Sequence, residues 1–355
     1  MSTILYVLLA ILVLGVCIFV HELGHFLTAK ALDVQVNEFA VCMGPALVKK
    51  TKGETTYSLR CIPIGGYCAM EGEDESSDNP RAFTSKSWWR RLIILAAGSF
   101  MNFLAGFLVL VILCSTAAGF ATPRIDSFYE GCPYESADGL QAGDEIYKID
   151  GRRVYIQSDV SMLLARSKTG VFDLTVRRNG RLVELKDFAM TPVEYTVDGE
   201  TQVKYGFYFG MEKKTFGTVM KNSWNTAMDF TRLVWLGLED LISGAVSVDE
   251  MSGPVGIVSV IAETGEQSAT KSAAAANIAY LAAFIAINLA VMNMLPIPAL
   301  DGGRIFLLLV GTLFTALTKK KIPPKYEGYV HAAGMIALLA FMAFVTFKDI
   351  WKLFA

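Results

Sequence analysis

Long apolar runs separated by polar segments dominate the pattern along the chain. A helix needs about 20 mostly apolar residues to cross the hydrocarbon core of a bilayer. Four runs reach or approach that length, at 4–27, 92–120, 273–295 and 330–347. A fifth run, at 305–317, is shorter and follows a Pro/Gly break, which suits a half-helix or a segment packed inside protein. The pattern predicts a polytopic α-helical membrane protein with about four transmembrane helices.

The first apolar run could also be a cleaved secretory signal. Neither Lys nor Arg precedes it, however, and no cleavage site with small residues closes it. The run continues into Phe26 and Leu27 beyond a polar motif at 21–25. We therefore expect a retained spanning helix.

The polar segments show strand and turn signals rather than long helices. The loop at 28–91 is rich in β-type residues and includes an expected β-hairpin region around 57–67. The segment at 121–200 alternates polar and apolar residues, and two hairpin turns are expected at Asp150-Gly151 and Asn179-Gly180. We expect a small α+β domain there, with a helix near 158–166.

Residues 216–243 have the apolar spacing of an amphipathic helix. Such a helix could lie on the membrane surface or simply face a protein core, and both interpretations remain open. The predicted organisation is therefore an N-terminal membrane part (1–120), an α+β domain (121–200), an amphipathic linker region (201–272) and a C-terminal membrane part (273–355).

Charge predicts the orientation of these parts. Basic residues concentrate in 28–91 and again in 319–325, and cytoplasmic loops carry such an excess. We expect those two loops in the cytosol, with both termini and the α+β domain on the other side. Apolar residues make up 53% of the chain and charged residues 19%, which agrees with a membrane protein. The formal net charge of −2 argues against a nucleic-acid partner.

The chemistry concentrates in one short motif. The chain has only three histidines, and two of them lie in the motif H-E-x-x-H as His21 and His25. A spacing of four places both imidazoles on one helix face, where both can bind one zinc ion, and Glu22 beside them can act as a general base. Charged and polar residues inside a spanning helix are costly and usually functional. The alternative is that they are satisfied polar residues packing the helix bundle.

A catalytic zinc normally has three protein ligands and one open position. Asp301 is the only acidic residue between 288 and 303, and it follows two prolines and precedes Gly302-Gly303. Irregular backbone at membrane depth is tolerated where it lines a cavity or is buried in protein. We therefore expect Asp301 to be the third ligand. The alternative is a capping Asp in an ordinary Pro/Gly loop.

These motifs resemble those of the site-2 protease family. H-E-L-G-H on the first helix and N-x-x-P-x-P-x-L-D-G-G after the third are similar to the bacterial regulated intramembrane zinc proteases that carry a PDZ domain. The segment at 140–151 resembles their PDZ domain. Two departures are Ser99, where the family commonly has proline, and Arg304, where it usually has histidine.

The resemblance implies one Zn²⁺ per chain, bound by His21, His25 and Asp301, with Glu22 as the catalytic acid/base. It also implies weaker, substrate-binding roles for five residues: Asn288, Asn293, Gly65, Gly66 and Asn102. For Asn288 and Asn293 the alternative is helix–helix hydrogen bonding.

The implied function is cleavage, within the bilayer, of single-span membrane proteins such as anti-sigma factors or remnant signal peptides. The implied location is the bacterial cytoplasmic membrane, with a PDZ-like extracytoplasmic domain acting as a gate. Two rivals are a catalytically silent scaffold that presents its PDZ domain, and a metal transporter.

Overall fold

A computed structural model describes residues 3–73, 77–167, 169–197, 200–247, 253–320 and 324–354. The chain divides into two compact units. The first unit comprises Met1–Val109 and Thr231–Ala355, and the second comprises Leu110–Phe230.

The described residues form eight α-helices. In chain order they are α1 (Thr3–Ala31), α2 (Trp88–Thr116), α3 (Gln157–Arg166), α4 (Phe216–Ser243), α5 (Pro254–Gln267), α6 (Lys271–Asn293), α7 (Asp301–Thr318) and α8 (Pro324–Phe354). Ten strands accompany them: β1 (Val36–Lys52), β2 (Thr55–Met70), β3 (Gly119–Phe128), β4 (Glu145–Ile149), β5 (Arg152–Arg153), β6 (Val171–Arg178), β7 (Arg181–Ala189), β8 (Val193–Val197), β9 (Glu200–Lys204) and β10 (Phe207–Lys213).

Five helices in the described part of the chain are long and apolar enough to cross a membrane. They are α1, α2, α6, α7 and the Gly328–Trp351 part of α8. This is one more than the four predicted, because the short run at 305–317 belongs to an 18-residue helix that begins at Asp301. At 1.5 Å per residue that helix is about 27 Å long, close to the thickness of the hydrocarbon core.

The loop between α1 and α2 forms the predicted β-structure as an antiparallel hairpin of β1 and β2. Both strands bend, so the start of β1 pairs on one side with residues 66–70 and on the other with residues 56–59. Cys42, Gly44 and Gly65 adopt positive φ angles of 67°, 83° and 86°. These residues allow the long strands to fold back into a compact curved sheet.

The second unit contains a six-stranded sheet. Its strand order is β10-β3-β4-β6-β7, with β5 pairing with β4. The predicted turns are present, with positive φ at Asp150-Gly151 (49° and 75°) and Asn179-Gly180 (50° and 80°). Helix α3 covers an apolar core that includes Ile125, Leu140, Ile146, Leu164 and Phe172. Because β10 pairs with β3, this sheet extends past residue 200, where we placed the boundary of the α+β domain.

Candidate metal centre

Helix α1 carries the two imidazoles of the H-E-x-x-H motif. His21 and His25 are both buried, at 8% and 6% exposure, and their Nε2 atoms lie 3.2 Å apart. Residues four apart lie on the same helix face, one turn from each other. The helix therefore presents two nitrogen donors to one point in the protein interior.

Asp301 reaches the same point from a distant part of the chain. It is the first residue of α7 and follows a tight turn in which Ala299 has a φ of 84°. Its Oδ2 atom lies 3.1 Å from His21 Nε2 and 3.2 Å from His25 Nε2. A side chain at Gly302 or Gly303 would collide with the backbone of residues 294–298, so the two glycines permit this turn.

The spacing of these three atoms fits a zinc ion. Donors at the usual Zn–N and Zn–O distances of about 2.0–2.2 Å, arranged tetrahedrally, lie about 3.3 Å from one another. The three observed separations, 3.1, 3.2 and 3.2 Å, agree with that value. Two imidazoles and one carboxylate are also the donor set of a catalytic zinc, which leaves a fourth position open.

The backbone of α2 supports the ligands from the side. The carbonyl oxygen of Ile94 accepts a hydrogen bond from His25 Nδ1 at 2.9 Å. This hydrogen bond places the proton on Nδ1 and leaves Nε2 free as a donor to the metal, a common arrangement for metal-binding histidines.

Helix α2 can come this close to α1 because each helix has a glycine at the contact, Gly24 on α1 and Gly98 on α2. A Cβ atom at Gly98 would overlap His25 Nε2, and one at Gly24 would lie 2.5 Å from the Ala97 carbonyl oxygen. The sequence analysis assigned no role to Gly98. The sequence did contain a signal for this contact: Gly98 lies in a predicted spanning helix, seven residues before Ala105-Gly106. Small residues repeated along such a helix are typical of a close helix–helix contact.

Glu22 lies beside the ligands and faces the β1–β2 hairpin. The backbone N–H of Cys68 lies within hydrogen-bonding reach of its carboxylate. A Cβ atom at Gly66 would be 3.3 Å from Glu22 Cγ, so the absence of a side chain there lets the strand approach the carboxylate. The predicted catalytic group and the predicted hairpin therefore meet.

The other predicted residues lie at different distances from the ligands. The Asn293 side-chain nitrogen lies 3.4 Å from His21 Nε2, whereas Asn288 is about 7.5 Å further back along α6. Gly65 packs over Met43 on the hairpin. Asn102 is completely buried on α2, one turn beyond Gly98, and its amide atoms have no hydrogen-bond partner among the described residues. Their substrate-binding roles remain predictions.

Comparison with known proteins agrees with this geometry. The model of peptidase family M50 matches residues 9–341. A protein of Clostridium acetobutylicum, provisionally named a zinc metalloprotease, is 37% identical over 97% of both chains. A similarly named protein of Fusobacterium nucleatum is 37% identical over 98% of this chain and 99% of its own. The regulator of sigma-W protease RasP of Bacillus subtilis is 26% identical over 97% of this chain and 98% of its own. The chain therefore belongs to peptidase family M50 and is a membrane zinc metalloprotease.

Proposed function

We propose that this protease cuts the transmembrane segments of single-span membrane proteins, with His21, His25 and Asp301 as the zinc ligands and Glu22 as the acid/base. The observation that carries the proposal is the burial of three converging donor atoms among helices with exposed apolar surfaces. A polar centre enclosed by lipid-compatible helices suits a substrate that is itself in the bilayer.

The proposed chemistry assigns distinct tasks to these residues. Zinc, when bound, supplies Lewis-acid polarisation of the scissile carbonyl and lowers the pKa of water at its open position. Glu22 accepts a proton from the attacking water and delivers it to the leaving amine. The Asn293 amide, next to His21, donates a hydrogen bond to the carbonyl oxygen as negative charge develops on it.

A helical substrate must be unwound before its peptide bonds can reach this centre. Residues 66–70 pair with the start of β1 on one side, and the described residues provide no strand on the other. We propose that an unwound substrate segment pairs with this edge as an added strand. Its backbone would then lie along the strand that contacts Glu22.

The orientation in the membrane is also part of the proposal. With the hairpin and the 319–325 loop in the cytosol, both termini and the second unit lie outside. This orientation requires four crossings, so α6 and α7 together cross the membrane once. Asp349, near the end of α8, accepts hydrogen bonds from the Gly253 and Gly256 N–H groups at 2.8 and 3.0 Å. This contact supports the orientation because it joins the C-terminal end of α8 to a segment that the charge pattern also places outside.

The second unit, which contains the predicted α+β domain, has the proposed role of a PDZ-like gate. It would admit single-span proteins whose external domains have been trimmed and hold back larger ones. The name of the Bacillus subtilis relative, a regulator of sigma-W, makes anti-sigma factors one suitable substrate class. Remnant signal peptides are the other.

The test compares wild type with Glu22→Gln on a single-span reporter in proteoliposomes. Loss of the proton-transfer group should lower the cleavage rate by about 10²- to 10⁴-fold, while zinc content stays unchanged. Glu184→Gln, at an exposed position of β7, is the matched control and should cleave normally.

Equal cleavage by wild type and Glu22→Gln would refute the proposed chemistry. No cleavage by any variant, with an intact α+β unit that still binds partners, would favour the scaffold. Zinc flux into the same vesicles would favour the transporter.

A further inference from the structure

An ion pair joins the β1–β2 hairpin to the helix that begins with Asp301. Glu73 follows β2 by three residues, and its Oε1 atom contacts Nη1 of Arg304, which is three residues after Asp301. The two side chains are only 15% and 22% exposed. A pair so enclosed is screened much less than one on an open surface.

The pair lies beside an apolar cluster to which both α7 and the hairpin contribute. Ile305 and Leu308 are buried in a cluster with Phe39, Cys68 and Met70 of the hairpin. Asp301, Arg304, Ile305 and Leu308 have the spacing of a single helix face. The face of α7 that begins with the carboxylate ligand is therefore the face turned towards this shared cluster.

The same stretch of hairpin also approaches the catalytic glutamate. A Cβ atom at Gly66 would be 3.3 Å from Glu22 Cγ, so this strand lies against Glu22. The Met70 N–H donates to Glu73 Oε2 at 3.4 Å, which ties Glu73 back to the end of β2. One short segment, residues 66–73, thus contacts both Glu22 and the start of α7.

We propose that Glu73 and Arg304 are positioning residues that hold Asp301 at the distance zinc binding requires. Asp301 is the first residue of its helix, after an irregular turn, and Leu300 before it provides no side-chain cap. The packing and the ion pair on the next turn therefore fix the height and rotation of the carboxylate. This inference rests on the proposed ligand set. It also assigns a task to Arg304, where the family resemblance leads us to expect histidine.

Zinc retention tests the inference without any substrate. Full-length protein in detergent micelles is titrated with a chelator, and wild type is compared with Glu73→Gln, Arg304→Gln and the double variant. Loss of a group that orients a metal ligand typically weakens metal binding by about 10- to 100-fold. Each single variant should fall in that range.

The double variant distinguishes a positioning pair from two unrelated residues. Each single change removes this ion pair and keeps one of its two enclosed charges, whereas the double change removes both charges. We expect the double variant to lose less than the product of the two single effects. Glu54→Gln, which breaks the exposed hairpin pairs with Lys30 and Arg81, is the matched control and should retain zinc normally.

Wild-type zinc retention in both single variants would overturn the inference, as would two effects that simply multiply. If Glu73→Gln does not fold, Glu73→Asp preserves the charge with a shorter side chain and should show a smaller loss of the same kind. The inference would also be overturned if the folded Glu73→Asp protein and the Arg304→Gln protein each retained zinc as well as wild type. Failure of the reporter to be cleaved by any variant would count against the proposed function, and the zinc comparison would still stand.

Discussion

Both units bury apolar side chains, but they differ in the polar groups that they bury. The interior of the second unit is apolar, and its buried carboxylates serve local structure: Asp144 pairs with Arg178, and Asp159 accepts hydrogen bonds from the Tyr155 and Ile156 N–H groups. The first unit buries His21, His25 and Asn102 while exposing large apolar side chains such as Leu12 and Ile336.

This difference reflects the two solvents. In water, apolar burial drives folding and charges remain outside or are paired. In lipid, an exposed leucine has no free-energy penalty, because lipid tails are equally apolar. Polar groups that perform chemistry face the protein interior instead. The buried carboxylates of the second unit serve its own fold, whereas the first unit brings His21, His25 and Asp301 together at the proposed metal site.

The largest expected effect on zinc binding and cleavage comes from crowding the polar interior of the first unit. Gly98→Ala places a methyl group against both imidazoles. Overpacking of this kind costs about 1–3 kcal/mol, which corresponds to about 5- to 150-fold in zinc affinity. Cleavage should fall at least in parallel. Zinc content after dialysis against a chelator is the measurement.

Gly15→Ala is the control for crowding, because nothing lies within 4 Å of a Cβ atom at that position of α1. It should bind zinc like wild type. Similar losses in the two variants would mean that helix composition, rather than contact with the ligands, governs metal binding.

Substitutions on the outer surfaces of the two units should affect membrane insertion and have a smaller effect on zinc binding. Leu12 on α1 is 60% exposed and Leu182 on β7 is 57% exposed. A lysine near the centre of a membrane helix costs about 2.5–3.5 kcal/mol, whereas a change on a water-exposed surface usually stays within about 0.5 kcal/mol.

Leu12→Lys should therefore reduce membrane insertion, measured as the alkali-resistant fraction in membranes, and Leu182→Lys should leave it unchanged. Full insertion of the Leu12→Lys protein would contradict the assignment of that α1 surface to lipid.

The smallest effect concerns pH and the β1–β2 hairpin. Burial works against ionisation of Glu38, but hydrogen bonds from Ser58, Arg60 and Tyr67 outweigh it and lower the pKa of the carboxyl from 4.5 to about 2. A lowered folded-state pKa stabilises the hairpin above the unfolded value and loses that effect as pH falls from about 4.5 towards about 2.

Glu38→Gln should make hairpin stability less dependent on pH within that window, as measured by hydrogen exchange of the β1 and β2 amides. The same pH dependence in the variant and in wild type would show that other carboxylates determine it. Glu184→Gln, in the second unit, should leave hairpin exchange unchanged.

Much of the fold could be predicted because its signals are local. Apolar run length indicated the membrane class, and two-residue turns such as Asn179-Gly180 placed the hairpins of the second unit. A spacing of four placed His21 and His25 on one helix face, since helix periodicity depends only on neighbouring residues. Sequence analysis underestimated α7, because its helix begins at Asp301 and includes three glycines, which disfavour helix formation.

Only the tertiary structure brought Asp301, 280 and 276 residues away in sequence, to 3.1 and 3.2 Å from the two imidazoles. It also decided that Gly98 would touch them, that Cys68 would approach Glu22 and that Arg304 would pair with Glu73. The sequence by itself determined the chemical types of the proposed metal ligands and the helix that presents two of them. Their convergence depended on how separate elements pack, which no local spacing encodes, because contacts between distant residues form only where packing outweighs the entropy of loop closure.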